Sequence, residues 1–234
     1  MSRGVRTAAA LAVAALCVGS SACTSTVSGN GVRAEGESPR IAAELDARDL
    51  DDILLDDAEL GDLLGGTDIE ITDEGEEMTD DADDVSAPEC IGALYSAEEP
   101  IYQDTGYTAV LTRLASEPDD DYEHWVEETA VLLPSAEAAE KFIDESAQQW
   151  DDCAGQSVSI SDGEDWYDWE LGETGHDGAV LSQTSTAVDS VVWQCEHTIA
   201  AASNVVIEAS VCAERVDGEA TTLINEMLAK AAQR

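Results

Sequence analysis

Downstream of residue 45 the apolar positions fall first at helical spacing, then at strand spacing, and at helical spacing again near the end. Leu50, Ile53, Leu54 and Leu55 lead up to Asp57, which reads as a helix N-cap. Leu60, Leu63 and Leu64 then mark one helical face before Gly65-Gly66 stops the turn. Tyr107–Leu114 and His124–Leu133 are rich in β-branched and aromatic residues and predict strands. Pro134-Ser135 opens a second helix with Ala139, Phe142, Ile143, Ser146, Ala147 and Trp150 on one face, ended by the stretch Asp151 to Gly155. Strands are expected at Ser157–Ile160, Trp166–Leu171, Ala179–Ala187, Ser190–Ala202 and Val205–Ala213. Asp217 reads as the N-cap of a last helix with an apolar stripe at Ala220, Leu223, Ile224, Met227, Leu228 and Ala231. Lys230 and Arg234 lie at its negative end. Short turns and a majority of strands predict a single α+β domain, an antiparallel sheet with flanking helices.

The last two strands make a specific prediction. A two-residue turn at Ser203-Asn204 sets Ala202 opposite Val205 and, further out, Cys195 opposite Cys212. In a non-hydrogen-bonded pair the Cα atoms are about 4.5 Å apart, within disulfide reach. That register puts Trp193, Cys195 and Ile199 on one face with Glu208 and Ser210. Val205, Ile207, Ala209 and Val211 share the other with Glu196 and Thr198. The apolar faces of the two strands disagree, so either both faces are covered or a bulge shifts the pairing by one.

The N-terminus changes the compartment. Arg3 and Arg6 precede an uncharged Ala-, Leu- and Val-rich run at Thr7–Val18, and Ser20-Ser21-Ala22 offers small residues for cleavage, so residues 1–22 read as a signal peptide. The run is too short to span a bilayer as a helix. Gly19-Ser20-Ser21-Ala22-Cys23 resembles a bacterial lipobox, which makes Cys23 the lipidated first residue of the mature chain. Residues 23–45, poor in apolar periodicity, read as a flexible tether and residues 46–234 as the domain. The expected location is the extracytoplasmic side of the cell membrane, held by a lipid anchor. For an exported chain the four remaining cysteines, Cys90, Cys153, Cys195 and Cys212, imply two disulfides, with three pairings open by count. The hairpin register selects Cys195–Cys212 and leaves Cys90–Cys153.

Charge removes whole function classes. With 10 Lys plus Arg against 52 Asp plus Glu, the formal charge is −42 over 234 residues. Such a field repels phosphates, which excludes nucleic acids and acidic lipid headgroups as partners. Eight of the twelve residues from Asp73 to Asp84 are acidic, a run read as a solvated loop. Within it Asp80, Asp81, Asp83 and Asp84 lack the EF-hand pattern, and His124, His176 and His197 lack zinc-site spacing, so no metal or cofactor is expected. With no G-x-S-x-G and the domain cysteines oxidised, no catalytic residue is assigned. The most distinctive polar and aromatic stretch is Glu164 to Glu170. As a strand it turns Trp166 to one side and Tyr167 and Trp169 to the other, and these three rings are the candidate ligand contacts, the wall of a groove.

Several segments together resemble the PknH-like extracellular sensor domain of actinobacterial receptor kinases and lipoproteins. They are Leu54-Leu55 with Leu63-Leu64-Gly65, Pro88-Glu89-Cys90-Ile91-Gly92-Ala93-Leu94-Tyr95, and Trp150-Asp151-Asp152-Cys153-Ala154-Gly155. Trp193-Gln194-Cys195-Glu196-His197 and Ser203-Asn204-Val205-Val206-Ile207 complete the set. The resemblance implies an α+β domain with an antiparallel sheet, disulfides between cysteines neighbouring in sequence, and a cleft for an unidentified ligand. No kinase domain is expected here, so a signal would pass through another envelope protein. The functional expectation is a lipoprotein sensor domain for a small molecule or envelope component. The alternative is an accessory lipoprotein whose acidic surface meets cations or wall polymers.

Overall fold

The computed structural model describes residues 44–65, 68–118, 123–188 and 193–234. The signal peptide, Cys23 and all but the end of the tether lie outside them. Two short helices come first, α1 (Asp49–Ile53) and α2 (Asp57–Leu63). The cap of α2 is Asp56 rather than Asp57: its carboxylate accepts from Glu59 N–H while Glu59 reciprocates, a capping box. Strand β1 (Glu70–Gly75) follows, then α3 (Ile91–Leu94), α4 (Glu99–Tyr102), β2 (Ala109–Ser116), β3 (His124–Leu132) and α5 (Ala136–Cys153). The chain continues through β4 (Ser157–Ser161), β5 (Trp166–Leu171), β6 (Gly175–Asp177), β7 (Val180–Ala187), β8 (Gln194–Ala202), β9 (Val205–Ala213) and α6 (Glu219–Ala231).

The strands form one antiparallel sheet in the order β1-β2-β3-β9-β8-β7-β5-β4, with β6 paired to β7. Part of the acidic run expected as loop is instead edge strand. Asp73, Glu74 and Gly75 pair with Leu114, Arg113 and Thr112 across a local register shift. Carboxylates are tolerated there because one side of an edge strand faces water and Arg113 stands opposite Glu74, 2.8 Å from its carboxylate. Only Ala82–Asp84 of the remaining run forms a short 3₁₀ turn.

The β8–β9 register holds without a shift, Ala202 opposite Val205 through Cys195 opposite Cys212. Both faces of the sheet are covered, which resolves the apparent conflict between the strands. On one face Val126, Ala130, Ile207, Ala209, Val211 and Ala200 pack with Leu50 and Leu54 and with Leu223, Ile224 and Met227 of α6. On the other, Val131, Val206, Ile199 and Leu181 pack against Phe142 and Trp150 of α5 and Tyr102 of α4. Ser203, the first turn residue, adopts φ +53, as a tight hairpin requires at that position. Asn204 is buried and exchanges hydrogen bonds with Leu45, accepting its N–H at 2.7 Å and donating to its carbonyl at 3.1 Å. The packed fold therefore takes in Leu45, the last residue of the expected tether.

Two disulfides are present, Cys90–Cys153 and Cys195–Cys212, with Cα separations of 5.7 and 4.0 Å. The first ties the chain before α3 to the last residue of α5. Helix α6 starts later than its sequence implies, with Gly218 in the left-handed region as N-cap instead of Asp217. The capping oxygens come from across the fold. Glu196 of β8 accepts from Ala220 N–H at 3.0 Å and from the Thr221 hydroxyl at 2.7 Å, placing a buried carboxylate at the positive helix end.

Candidate ligand site

The α5-side face of the sheet is apolar at one end and polar in its middle. Register places Glu127 of β3, Ser210 of β9, His197 of β8 and Gln183 of β7 directly opposite one another in a row across four strands. Ser210, His197 and Gln183 are each at most 3% exposed. Among the described residues, Ser210 Oγ, His197 Nδ1 and Gln183 Oε1 have no hydrogen-bond partner. Leaving one such group buried and unpaired costs about 1–3 kcal/mol, so three in one row mark a place where stability is sacrificed.

The row is held in place by the polar groups that do have partners. Glu208, one step along β9, accepts from Ala97 N–H at 3.1 Å and the Tyr102 hydroxyl at 2.7 Å through one oxygen, and lies 3.1 Å from His197 Nε2 through the other. The Trp150 ring lies 4.8 Å from the His197 ring, and Tyr102 stacks on Phe142 at 4.3 Å. Gln183 is fixed by donating to Gly172 O at 2.8 Å, which leaves its carbonyl oxygen free. Ala97 holds an unusual φ of +53, and its carbonyl accepts from Thr79 N–H. That turn directs Glu98 inward, where Thr79 Oγ1 and Asp81 N–H each donate to it at 3.1 Å.

A cavity of about 130 Å³ opens on Glu127, bounded by Thr79 and Ala97 of the covering segment, Thr112 and Leu114 of β2, and acids of the β1 edge. Burial pushes the Glu127 carboxyl up to about 8, and the charge of Glu208 acts in the same direction; the Ser96 hydroxyl beside it opposes the shift. Burial likewise pushes Glu98 up to about 7, although the Asp81 N–H pulls the other way. The Tyr95 phenol is held well above its usual range by burial and by the surrounding acids. Among the described residues no Lys or Arg is ion-paired with Glu127, Glu98 or Glu208. Larger grooves of about 490 and 410 Å³ flank α5, but the one cation on them, Lys141, is exposed and paired to Glu145.

The three aromatic residues singled out from sequence lie elsewhere. Trp166 and Tyr167 are 54% and 43% exposed on β5, four strands away from β3, and the Tyr167 hydroxyl donates to Asp162 at 3.0 Å. Trp169 is half-buried and packs on Val158, Leu171 and the Cys90–Cys153 bridge. None of them borders the cavity at Glu127. The signal for the site was the disagreement of faces between β8 and β9: Glu208 and Ser210 fall where a half-exposed strand would point inward.

Residues 45–230 match the family described as PknH-like extracellular domain. Two relatives, the serine/threonine-protein kinases PknH of Mycobacterium tuberculosis and Mycobacterium bovis, are each 30% identical over 178 residues. Those matches cover 76% of this chain and 28% and 30% of the kinases, so the chain spans less than a third of their length. The crystal structure of the extracellular domain of PknH from Mycobacterium tuberculosis superposes with a TM-score of 0.78 at 28% identity. The superposition covers 82% of this chain and 100% of that one. The mixed helix and antiparallel-sheet fold is common to both.

Proposed function

Since the chain belongs to the PknH-like extracellular domain family, we propose that it is the ligand-binding sensor domain of an envelope lipoprotein and that its site is the Glu127 pocket. Membership of that family supports a location outside the cytoplasm. Among the described residues no helix is long and apolar enough to cross a membrane, and in this reading the diacyl group on Cys23 holds the protein at the cell surface. The observation that carries ligand binding is the cavity in front of Glu127, whose carboxyl is held up by burial and by the charge of Glu208. A concave site that ends on a carboxyl of perturbed acidity is the kind of place where a small polar molecule is taken up. A signalling partner in the envelope would read the occupied state.

Native mass spectrometry of the protein purified from its own envelope tests this. The expected result is a small molecule retained by the wild type and lost from Glu127→Gln. Equal spectra for the two, with no adduct, would instead favour an accessory lipoprotein working through its acidic surface. For the anchor, Cys23→Ser is expected to move the protein from the membrane fraction to the medium, because the acyl chains supply about 0.8 kcal/mol per buried methylene.

A further inference from the structure

We propose that the sheet face formed by β4, β5 and the end of β7 docks an arginine-bearing segment of a partner protein, with a guanidinium stacked on the Trp166 ring and paired to Asp168. This surface is separate from the Glu127 cavity, and the proposal stands whether or not that cavity takes a ligand. Alternation along β5 sorts its side chains. Trp169 and Leu171 pack with Val158 and the Cys90–Cys153 bridge on the α5 side, so Trp166, Asp168 and Glu170 point to the other side. There α6 covers β8 and β9. Beyond that cover the face is open among the described residues: Asp168 and Glu170 are exposed, and Ser159 and Thr186 opposite them are half-buried.

The open face carries an apolar pair. Val188 N–H donates to Asp168 O at 2.8 Å, which extends the β7 ladder by one residue and sets Val188 on the face of Asp168. Trp166, two residues along β5, is then its diagonal neighbour, within reach of a large ring. Trp166 is 54% and Val188 52% exposed, two of the three exposed large apolar side chains among the described residues. An exposed apolar pair rimmed by polar groups is the pattern of a contact surface. The contact is with the face and not with the sheet edge, because Ser86 already occupies the edge of β4. Its N–H donates to Ser159 O at 2.9 Å and its hydroxyl accepts from Ser159 N–H at 2.8 Å.

Charge selects the occupant. Among the described residues Glu164, Asp165, Asp168 and Glu170, which flank the ring in sequence, form no ion pair. No Lys or Arg occurs from residue 142 to residue 214, so β4 through β9 carry no cation of their own. Ser159 Oγ donates to one Asp168 oxygen at 2.6 Å, which fixes the carboxylate and leaves its other oxygen for an incoming donor. Asp168 lies about 7 Å along the strand from Trp166 on the same face. A guanidinium within about 6 Å of the indole centre therefore reaches both groups, and its planar fork suits a ring and a carboxylate together. A lysine ammonium, a hydrated point charge, satisfies the carboxylate but stacks less well.

A ¹H–¹⁵N NMR titration of the purified full chain with capped tetra-arginine and tetra-lysine peptides tests the proposal, in about 0.15 M NaCl so that long-range attraction is screened. The Trp166 indole signal is assigned through Trp166→Phe. The expected result is a saturable shift of that indole and of the Val188 and Thr186 amides with tetra-arginine, and binding several-fold weaker with tetra-lysine. Trp166→Ala should weaken tetra-arginine binding about fivefold or more, and Trp166→Phe should retain part of the affinity. Asp168→Asn should weaken it several-fold. Tyr167→Phe, on the opposite face, and Glu226→Gln, on the exposed side of α6, should leave it unchanged. Equal affinity in wild type and Trp166→Ala, or equal affinity for the two peptides, overturns the proposal in favour of diffuse attraction to an acidic surface. Absence of any shift with tetra-arginine overturns it outright. A shift of the same indole by cellohexaose, with none by tetra-arginine, overturns it in favour of a neutral sugar polymer.

Discussion

Glu127 and Glu128 are neighbours on β3 and point to opposite faces of the sheet, and burial pushes both carboxyls up to about 8. Their surroundings differ in kind. Glu128 is fully buried and both its oxygens accept from Leu55 N–H at 3.3 Å, with Arg113 and Lys230 opposing the burial effect. Lys230 in turn donates to Leu54 O and Glu59 at 2.7 Å, so the Leu54-Leu55 corner is pinned between β3 and α6. Glu128 thus has a backbone donor, and the two cations near it are themselves paired to acids. Glu127 has acids for neighbours and a cavity in front of it. The same residue type on the same strand is thus a structural pin on one face and an unfinished contact on the other. Burial alone does not distinguish the two; what remains unpaired around each carboxyl does.

The sharpest way to break the comparison is to untie the cover of the polar face. Cys90–Cys153 closes a loop of 63 residues and Cys195–Cys212 one of 17. On the chain-entropy account, replacing each pair by serine should destabilise the protein by about 4 and about 3 kcal/mol. Hydrogen exchange in the first variant should rise in residues 88–102 while α6 keeps its protection. Uniform loss across both faces would show that they do not behave as separate units. Next in size, Leu223→Ala on the sealed face should cost about 3 kcal/mol in urea unfolding. Ser210→Ala, which removes a buried hydroxyl without a partner, should stay within about 1 kcal/mol of wild type.

pH sharpens the comparison further. A glutamate ionises near 4.3 in the unfolded chain, whereas Glu127 and Glu128 hold their protons to about 8 in the fold. Between those values the native state binds more protons, so stability is fullest below about 4.3 for these two groups and declines as pH rises toward 8. Each contributes a slope of up to about 1.4 kcal/mol per unit. Chemical denaturation from pH 5 to pH 8 should show falling stability, and Glu127→Gln or Glu128→Gln should each flatten the decline. Salt is expected to act most weakly. With a formal charge of −42, raising NaCl from 0.1 to 1 M shortens the screening length from about 10 to about 3 Å and should lift the melting temperature by a few degrees. Calcium at matched ionic strength should add little.

Much of the fold was legible because periodicity and turn chemistry agree. The Phe142–Trp150 face predicts α5, the Leu223–Met227 stripe predicts α6, and a two-residue turn at Ser203-Asn204 points to Cys212 as the partner of Cys195, with a shift by one left open until both faces are seen to be covered. Strand β1 was hidden because its acids imitate a loop; pairing with Arg113 on β2 is a long-range fact. The α6 cap was assigned to Asp217 because local sequence offers it, whereas Glu196 reaches the helix from β8. The site was least legible. Polar residues in a strand ordinarily mean a solvent face, and only the cover formed by α3, α4 and α5 turns Ser210, His197 and Gln183 into buried groups. Trp166 and Tyr167 drew attention by their size, yet an edge hairpin leaves such rings exposed.

The most direct test is a carboxyl ¹³C NMR titration that follows Glu127 and Glu128 in one sample, assigned through Glu127→Gln and Glu128→Gln, in the wild type and in Glu208→Gln. The account predicts that both titrate near 8 in the free protein. Glu208→Gln should lower the Glu127 midpoint and leave Glu128 in place. Midpoints near 4.3 for both, or a shift shared equally by the two, would contradict it.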